Sequence, residues 1–409
     1  MKRTTLFFLL FVTAAGVYGQ DFEESVTGNE NHEKPKVTVG GDFAFQFQFL
    51  NHHADSTLIP LGKGINVPTA NLKLDAFLAD GIEVNLTTYL SSRHHLEAWV
   101  KGGYLLIDKL PFIKSTAVTR AMDFLTFKVG VMEINYGDEH FRRSDNGNII
   151  RNRFVGNYIM DGFTTAPAIE GWYRNKGFLL LAGVTNGTLD PVLSRYNAAT
   201  HTYTAINVWN ELAFYWKAGY DNQINDNFRI RVTMSGYHTA NNHSGSLYFG
   251  DRTGSRYYLV MNRETNSSAD VDPSSNHLSG NFGPGFTDRD NSLMWNLLAK
   301  YRGAEFFGTY ELSKGTSPFT GASFRFNQFA AEGIYHFGRQ DQYYGGVRYD
   351  YVKNNLDNSV DRIQVAAGWY PIPEVLVKAE YVNQNYKNFS LYGSNAGFDG
   401  LMLEATVSF

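Results

Sequence analysis

Phe43, Phe45, Phe47 and Phe49 fall on one side of an extended chain, and Asp42, Ala44, Gln46 and Gln48 on the other. Side chains of a strand point alternately to its two faces, so this segment predicts a strand with one apolar and one polar face. The pattern recurs. Leu72, Leu74, Ala76 and Leu78 alternate with Asn71, Lys73 and Asp75, and Ile82, Val84, Leu86, Thr88 and Leu90 answer them across an Asp80-Gly81 turn. Leu96, Ala98 and Val100 predict another strand, and Leu125, Phe127, Val129 and Val131 the next. Phe228 to Met234, Leu293 to Tyr301, Tyr343 to Tyr351, Ile363 to Trp369, Val375 to Tyr381 and Leu401 to Phe409 repeat the same alternation.

Counted through, the pattern predicts sixteen strands, each about long enough to cross a bilayer at a tilt. Tight turns are expected around 174–177, 221–226, 303, 338–341 and 371–374. Longer polar connections are expected near 51–68, 136–165, 189–208, 238–291, 313–322 and 387–398. Tight turns on one side and long loops on the other are the asymmetry of a membrane barrel. Apolar faces spread over the whole chain are too many for the single core of a two-sheet sandwich. The fold expected is all-β, a 16-stranded antiparallel transmembrane β-barrel.

Composition supports this. Aromatic residues make up 15% of the chain, yet mean hydropathy is −0.31. Apolar outward and polar inward faces, with aromatic girdles, give that combination. There is no cysteine, so a closed hydrogen-bonded sheet has to supply what disulfides supply to many exported proteins. Lys2 and Arg3, the apolar run Leu6 to Val12, and Val17-Tyr18-Gly19 read as a secretory leader cut after Gly19. The expected organisation is therefore a signal peptide at 1–19, a flexible periplasmic lead-in at 20–36 and an outer-membrane barrel at 37–409. Net charge is −4, and −6 without Lys2 and Arg3, which argues against nucleic-acid binding.

One connection stands apart. From Met132 to Phe163 the chain reads M-E-I-N-Y-G-D-E-H-F-R-R-S-D-N-G-N-I-I-R-N-R-F-V-G-N-Y-I-M-D-G-F. It follows the fifth predicted strand and is the third external loop. This stretch resembles a signature of porin-like outer-membrane barrels of Bacteroidota, of the type similar to phosphate-selective porin O/P. The resemblance implies an inward-folded third loop that narrows a pore. It covers about thirty residues, the remainder matching in architecture only. Acids and bases are nearly balanced here, with 36 Lys and Arg against 40 Asp and Glu, unlike the cationic ladders of the phosphate-selective type.

Within that loop Phe141, Phe154, Tyr158, Ile159, Met160 and Phe163 can pack against a wall. Asp138, Glu139, Arg142, Arg143, Asp145, Arg151 and Arg153 can form a charged constriction that sorts solutes, or can pair with one another to hold the loop. On the predicted inner wall lie Lys128, Lys217, Arg229, Arg231, Lys300, Arg302, Arg348, Arg362 and Lys378, together with acids such as Asp75, Glu83, Glu305, Glu332 and Glu404. The bases between Leu212 and Arg302 make a basic arc, which either sets a field across the pore or joins a ladder of salt bridges. Phe409, on the outward face of the last strand, resembles the terminal aromatic that such barrels present to the barrel-assembly machinery.

No nucleophile motif stands out, and neither His94-His95 nor Asn51 to Asp55 supplies a full set of metal ligands. No reaction, metal or cofactor is expected. The resulting expectation is an outer-membrane porin passing small hydrophilic solutes or ions. Its partners would be outer-membrane lipid, the assembly machinery and those solutes, with a homotrimer compatible. An outer-membrane barrel enzyme, or a structural barrel of an envelope complex, is the alternative.

Overall fold

The computed structural model describes residues 22–24, 26, 36–92, 98–144, 149–188, 194–197, 199–205, 212–240, 247–248, 254–264, 271–286, 289–316 and 322–409. The leader at 1–19, His94-His95 and Asp145 lie outside the described residues.

The strands run in chain order as β1 (Lys36–His53), β2 (Gly64–Ala79), β3 (Ile82–Leu90), β4 (Trp99–Ile107), β5 (Leu125–Glu133), β6 (Thr165–Asn175) and β7 (Phe178–Thr185). A small hairpin, β8 (Ser194–Asn197) and β9 (Thr202–Ala205), lies outside the main sheet. Then come β10 (Ala213–Asn225), β11 (Phe228–Thr239), β12 (Asp290–Tyr301), β13 (Ala304–Thr316), β14 (Ser323–Phe337), β15 (Tyr343–Asn354), β16 (Ser359–Ile372), β17 (Val375–Lys387) and β18 (Ala396–Ser408). All strands but β8 and β9 belong to one sheet of antiparallel neighbours, and β1 pairs with β18, so sixteen strands close into one barrel.

The register places the outward faces where the alternation predicts them. Phe45 lies opposite Ala405, and Phe47 opposite Leu403. Phe45, Leu72, Val232, Tyr310, Val365 and Leu403 are all exposed, and their partners in alternation, such as Gln46, Thr233, Glu311 and Gln364, are buried. An inside-out surface of this kind suits a hydrocarbon surround, where a closed sheet is one of two ways to pair every backbone group.

The short-turn end is built from tight reversals. Lys176 and Gly177 both have positive φ, 49° and 87°, a geometry whose twist matches the flanking strands. One connection there is longer than expected. Residues 108–124 carry a helix, α1 (Thr116–Met122), whose chain reaches back to the neighbouring turn through the Asp108 amide and the Gly81 carbonyl, 2.9 Å apart. The alternation of strands does not reveal such an insertion, since a short helix leaves no period-two mark.

Leu403 sits near the middle of β18 on the outer face and is half exposed. Replacing it with Arg is expected to destabilise the barrel by about 2–4 kcal/mol in lipid vesicles, read from urea unfolding. A cost near zero would place this face away from hydrocarbon.

Candidate functional site

Alternation turns a dense set of ionisable side chains inward, and segments of chain cover them there. Asp138 is held from several strands at once. Arg231 of β11 grips both its carboxylate oxygens, Nε to Oδ2 and Nη2 to Oδ1, each at 2.8 Å. Lys217 of β10 donates to Asp138 Oδ1 at 2.9 Å, and Thr233 donates to Oδ2 at 2.7 Å. The Asp138 amide donates to Asn296 of β12 at 2.8 Å. Burial alone would raise the Asp138 carboxyl, but Arg231 and then Lys217 outweigh it and hold it far below the usual carboxylate range.

The rest of 134–164 meets the opposite wall. Arg142 bridges Glu305 of β13 and Glu332 of β14, the latter at 2.6 Å. Backbone groups of the segment meet inward side chains: the Val155 amide Glu380 at 2.7 Å, the Ile159 amide Asp350 at 2.6 Å, and the Met160 amide Gln328 at 3.0 Å. In the other direction Arg348 donates to the Gly156 carbonyl, Lys378 to those of Asn152 and Phe154, and Arg362 to that of Asn157. Irregular chain inside a barrel lacks a ladder of its own, so wall side chains satisfy its backbone. Of the expected apolar anchors, Phe154, Tyr158, Ile159, Met160 and Phe163 are buried and Phe141 is half-buried, and Arg348 lies over the rings of Phe154 and Tyr158 at 4.1 and 4.4 Å.

The other residues singled out in this segment differ in their surroundings. Arg143 pairs with Asp161 at 2.6 Å, inside the segment itself. Glu139 is buried near Glu311 and Asp350. Burial first, and those carboxylates next, push it well above the ordinary carboxylate range, which favours its neutral form. Arg153 donates to the Ile150 carbonyl at 2.8 Å, and Arg151 is half-buried. On the wall, Arg229 pairs with Asp221 at 2.9 Å and Lys300 with Glu305 at 3.2 Å. Arg302 does not lie on the inner wall where the alternation predicts it. It occupies the β12–β13 turn with a φ of 53°, its guanidinium over Tyr301, because the chain reverses there rather than continuing along the wall. The basic arc meets its counter-charges, so the ladder of pairs describes Lys217, Arg229 and Arg231.

Sequence reasoning missed a second covering segment. The composition of 238–291 predicts a long polar connection between β11 and β12, yet Tyr248, Arg256, Tyr257, Tyr258, Val260 and Met261 are buried. Arg256 pairs with Glu404 of β18, Tyr257 donates to Glu380 at 2.6 Å, and Tyr248 to Glu311 at 2.6 Å. Gln48 of β1 holds the Tyr258 backbone on both sides, at 2.8 Å each. The two segments also bond to each other, through Asn157 to Ser255 and Phe282 to Ile159. The available signal was the run Tyr257-Tyr258-Leu259-Val260-Met261, too apolar for a solvated loop.

The covering is uneven. Beside β2 to β5 a cavity of about 250 Å³ remains, lined by Lys73, Asp75, Glu83, Lys101, Lys128 and Glu133 among others. Of the predicted wall bases, Lys128 alone lines this cavity. Among the described residues no cluster of His, Asp and Glu is arranged to hold a metal ion.

No protein-family profile matches the chain, and no curated protein sequence does. Solved structures share the fold at low identity. An anion-selective porin from Comamonas acidovorans aligns at a TM-score of 0.54 and 11% identity, covering 92% of this chain and 100% of that one. The outer-membrane channel DcaP of Acinetobacter baumannii aligns at 0.53 and 10%, covering 93% and 100%. OmpT, an outer-membrane protein of Vibrio cholerae in a trimer form, aligns at 0.52 and 11%, covering 92% and 100%.

Removing one partner of a buried ion network costs more than removing a half-exposed one. Arg231→Ala leaves the Asp138 carboxylate short of its bidentate partner and is expected to destabilise by about 3–5 kcal/mol. Arg229→Ala should cost about 1 kcal/mol or less, because Asp221 keeps Arg231 at 3.1 Å. Chemical unfolding in detergent, with limited proteolysis of 134–164, measures both. Equal costs would mean that Arg231 is not what holds the segment.

Proposed function

We propose that the chain is an outer-membrane porin through which small hydrophilic solutes or ions diffuse down their gradients, and that residues 134–164 fold inward as its constriction. The observation that carries this reading is the polar cavity left beside β2 to β5 within a closed barrel whose outside is apolar. A lipid-facing exterior enclosing a charged opening has the form of a water path. The aligned structures, named as a porin and a channel, agree with it. The resemblance of 132–163 to Bacteroidota porins is the further support for the inward loop.

The opening lies to one side of the barrel axis. Its lining mixes Lys73, Lys101 and Lys128 with Asp75, Glu83 and Glu133, so selectivity between anions and cations is expected to be modest. Arg348, Arg362 and Lys378 serve the covering segments rather than the solute, since their donors point at backbone carbonyls. A specific observation favours a competing role as a closed structural barrel: two long segments already occupy the lumen. Conductance decides between them. Planar bilayers should show discrete channels, and removing Gly137 to Gly156 should raise their conductance. A wild-type protein that inserts and never conducts would select the structural role.

Phe409 acts in assembly. Its backbone closes the barrel seam, exchanging bonds of 2.9 and 3.0 Å with Gly41, while its ring stays exposed. Phe409→Ala keeps those backbone bonds and should lower outer-membrane yield in cells without lowering the thermal stability of the folded barrel. Normal yield would remove the role.

A further inference from the structure

Four described residues precede β1, and they lie against the inner wall. Glu23 is buried. It accepts from Arg231 Nη2 at 2.8 Å and Nη1 at 3.0 Å, and from Lys217 Nζ at 3.4 Å. Phe22 lies beneath the Arg231 guanidinium at 3.9 Å and meets the Phe141 ring edge-on at 5.5 Å. It packs in one cluster with Tyr158, Leu298 and Phe307. Glu24 accepts from Tyr104 at 2.6 Å and from Lys128 at 3.4 Å, both of which line the remaining cavity. Arg174 donates to the Glu23 and Glu24 carbonyls at 3.5 and 3.3 Å, and the Val26 amide donates to Asp108 at 3.2 Å. The described residues thus run from Val26, beside Asp108 at the short-turn end, past the cavity at Glu24 to Phe22 among β11 to β13.

We propose that the inner wall holds a receptor site for an acidic peptide of the form Phe-Glu-Glu, filled in cis by Phe22, Glu23 and Glu24, and that this strap closes part of the opening from the short-turn side. The closing role rests on the channel reading above; the site itself does not. The chemistry is that of carboxylate recognition. A planar guanidinium takes two carboxylate bonds at once, an ammonium adds a third, and an aromatic ring covers the guanidinium face. Burial alone would raise the Glu23 carboxyl, but Arg231 and then Lys217 hold it at about 2, so it docks as a carboxylate. The same cations hold Asp138, which ties the strap to the 134–164 segment through shared partners. Glu24, bonded to Lys128, lines the cavity that remains beside β2 to β5.

The triple variant F22A/E23A/E24A separates docking from folding. Lys217 keeps Asn135, the Gly137 carbonyl and Asp138, and Arg231 keeps Asp138 and Asp221, so neither cation is orphaned. The variant is made in the full chain and checked by thermal unfolding. E23Q is the second variant, should the triple fail to fold. A fluorescent peptide with the sequence of residues 20–26 is then titrated into wild type and variant in detergent, followed by anisotropy. Binding to the variant and not to wild type supports the site, with a control peptide carrying Ala for Phe22 and Gln for both glutamates at least about tenfold weaker. Binding to neither protein, or equally to both, overturns it. In planar bilayers the variant should conduct roughly twofold more than wild type, and peptide added on the short-turn side should restore the smaller value. Equal conductance of the two proteins overturns the closing role. Peptide binding to a variant that never conducts leaves the site standing and removes the channel reading instead.

Discussion

Everything in this molecule depends on the pairing of β1 with β18. A sheet surrounded by hydrocarbon cannot leave an edge, because each unpaired amide or carbonyl there has no water to turn to. The twelve aligned positions from Asp42 opposite Ser408 to His53 opposite Gly397 remove that edge. Closure then gives the chain an inside and an outside, and the period-two alternation sorts side chains between them. A slip of β1 by one residue at the seam would turn Gln46 toward lipid and Phe45 toward the lumen.

Once the charged faces point inward, a second requirement follows. Ionisable groups removed from water need partners, and unpaired ones are costly. The wall meets this by binding segments of its own chain. Arg231 and Lys217 take Asp138 and Glu23; Glu305 and Glu332 take Arg142; Glu404 takes Arg256 and Lys378. The covering segments gain in return, since Asp350, Glu380, Arg348 and Lys378 satisfy their backbone groups. Wall and filling are therefore interdependent. The charges that look in the sequence like the lining of a pore are for the most part the fastenings of what fills it.

The region beside β2 to β5 escapes this filling. Its inward residues, among them Lys73, Asp75, Lys101 and Lys128, belong to β2 to β5, whereas most of the wall contacts of the two segments fall on β10 to β18 and on β1. The cavity is confined to that arc of the wall. Its character is set by a handful of residues that carry no distinctive motif.

The amino-acid sequence by itself determined the architecture: the alternation, the strand number, the outward apolar faces, and the stretch from Met132 to Phe163 as the unusual connection. These are local or periodic properties, and a period of two survives whatever the chain packs against. Which inward charge meets which was not legible. Asp138 and Arg231 are 93 positions apart, and Arg256 and Glu404 148 apart. The same alternating faces are compatible with an open lumen or a filled one. The inward course of the β11–β12 connection, the seat of Glu23 and the place of Arg302 in a turn were decided only in three dimensions. There, closure of the barrel brings distant strands to one lumen, and the cost of a bare buried charge selects the partners.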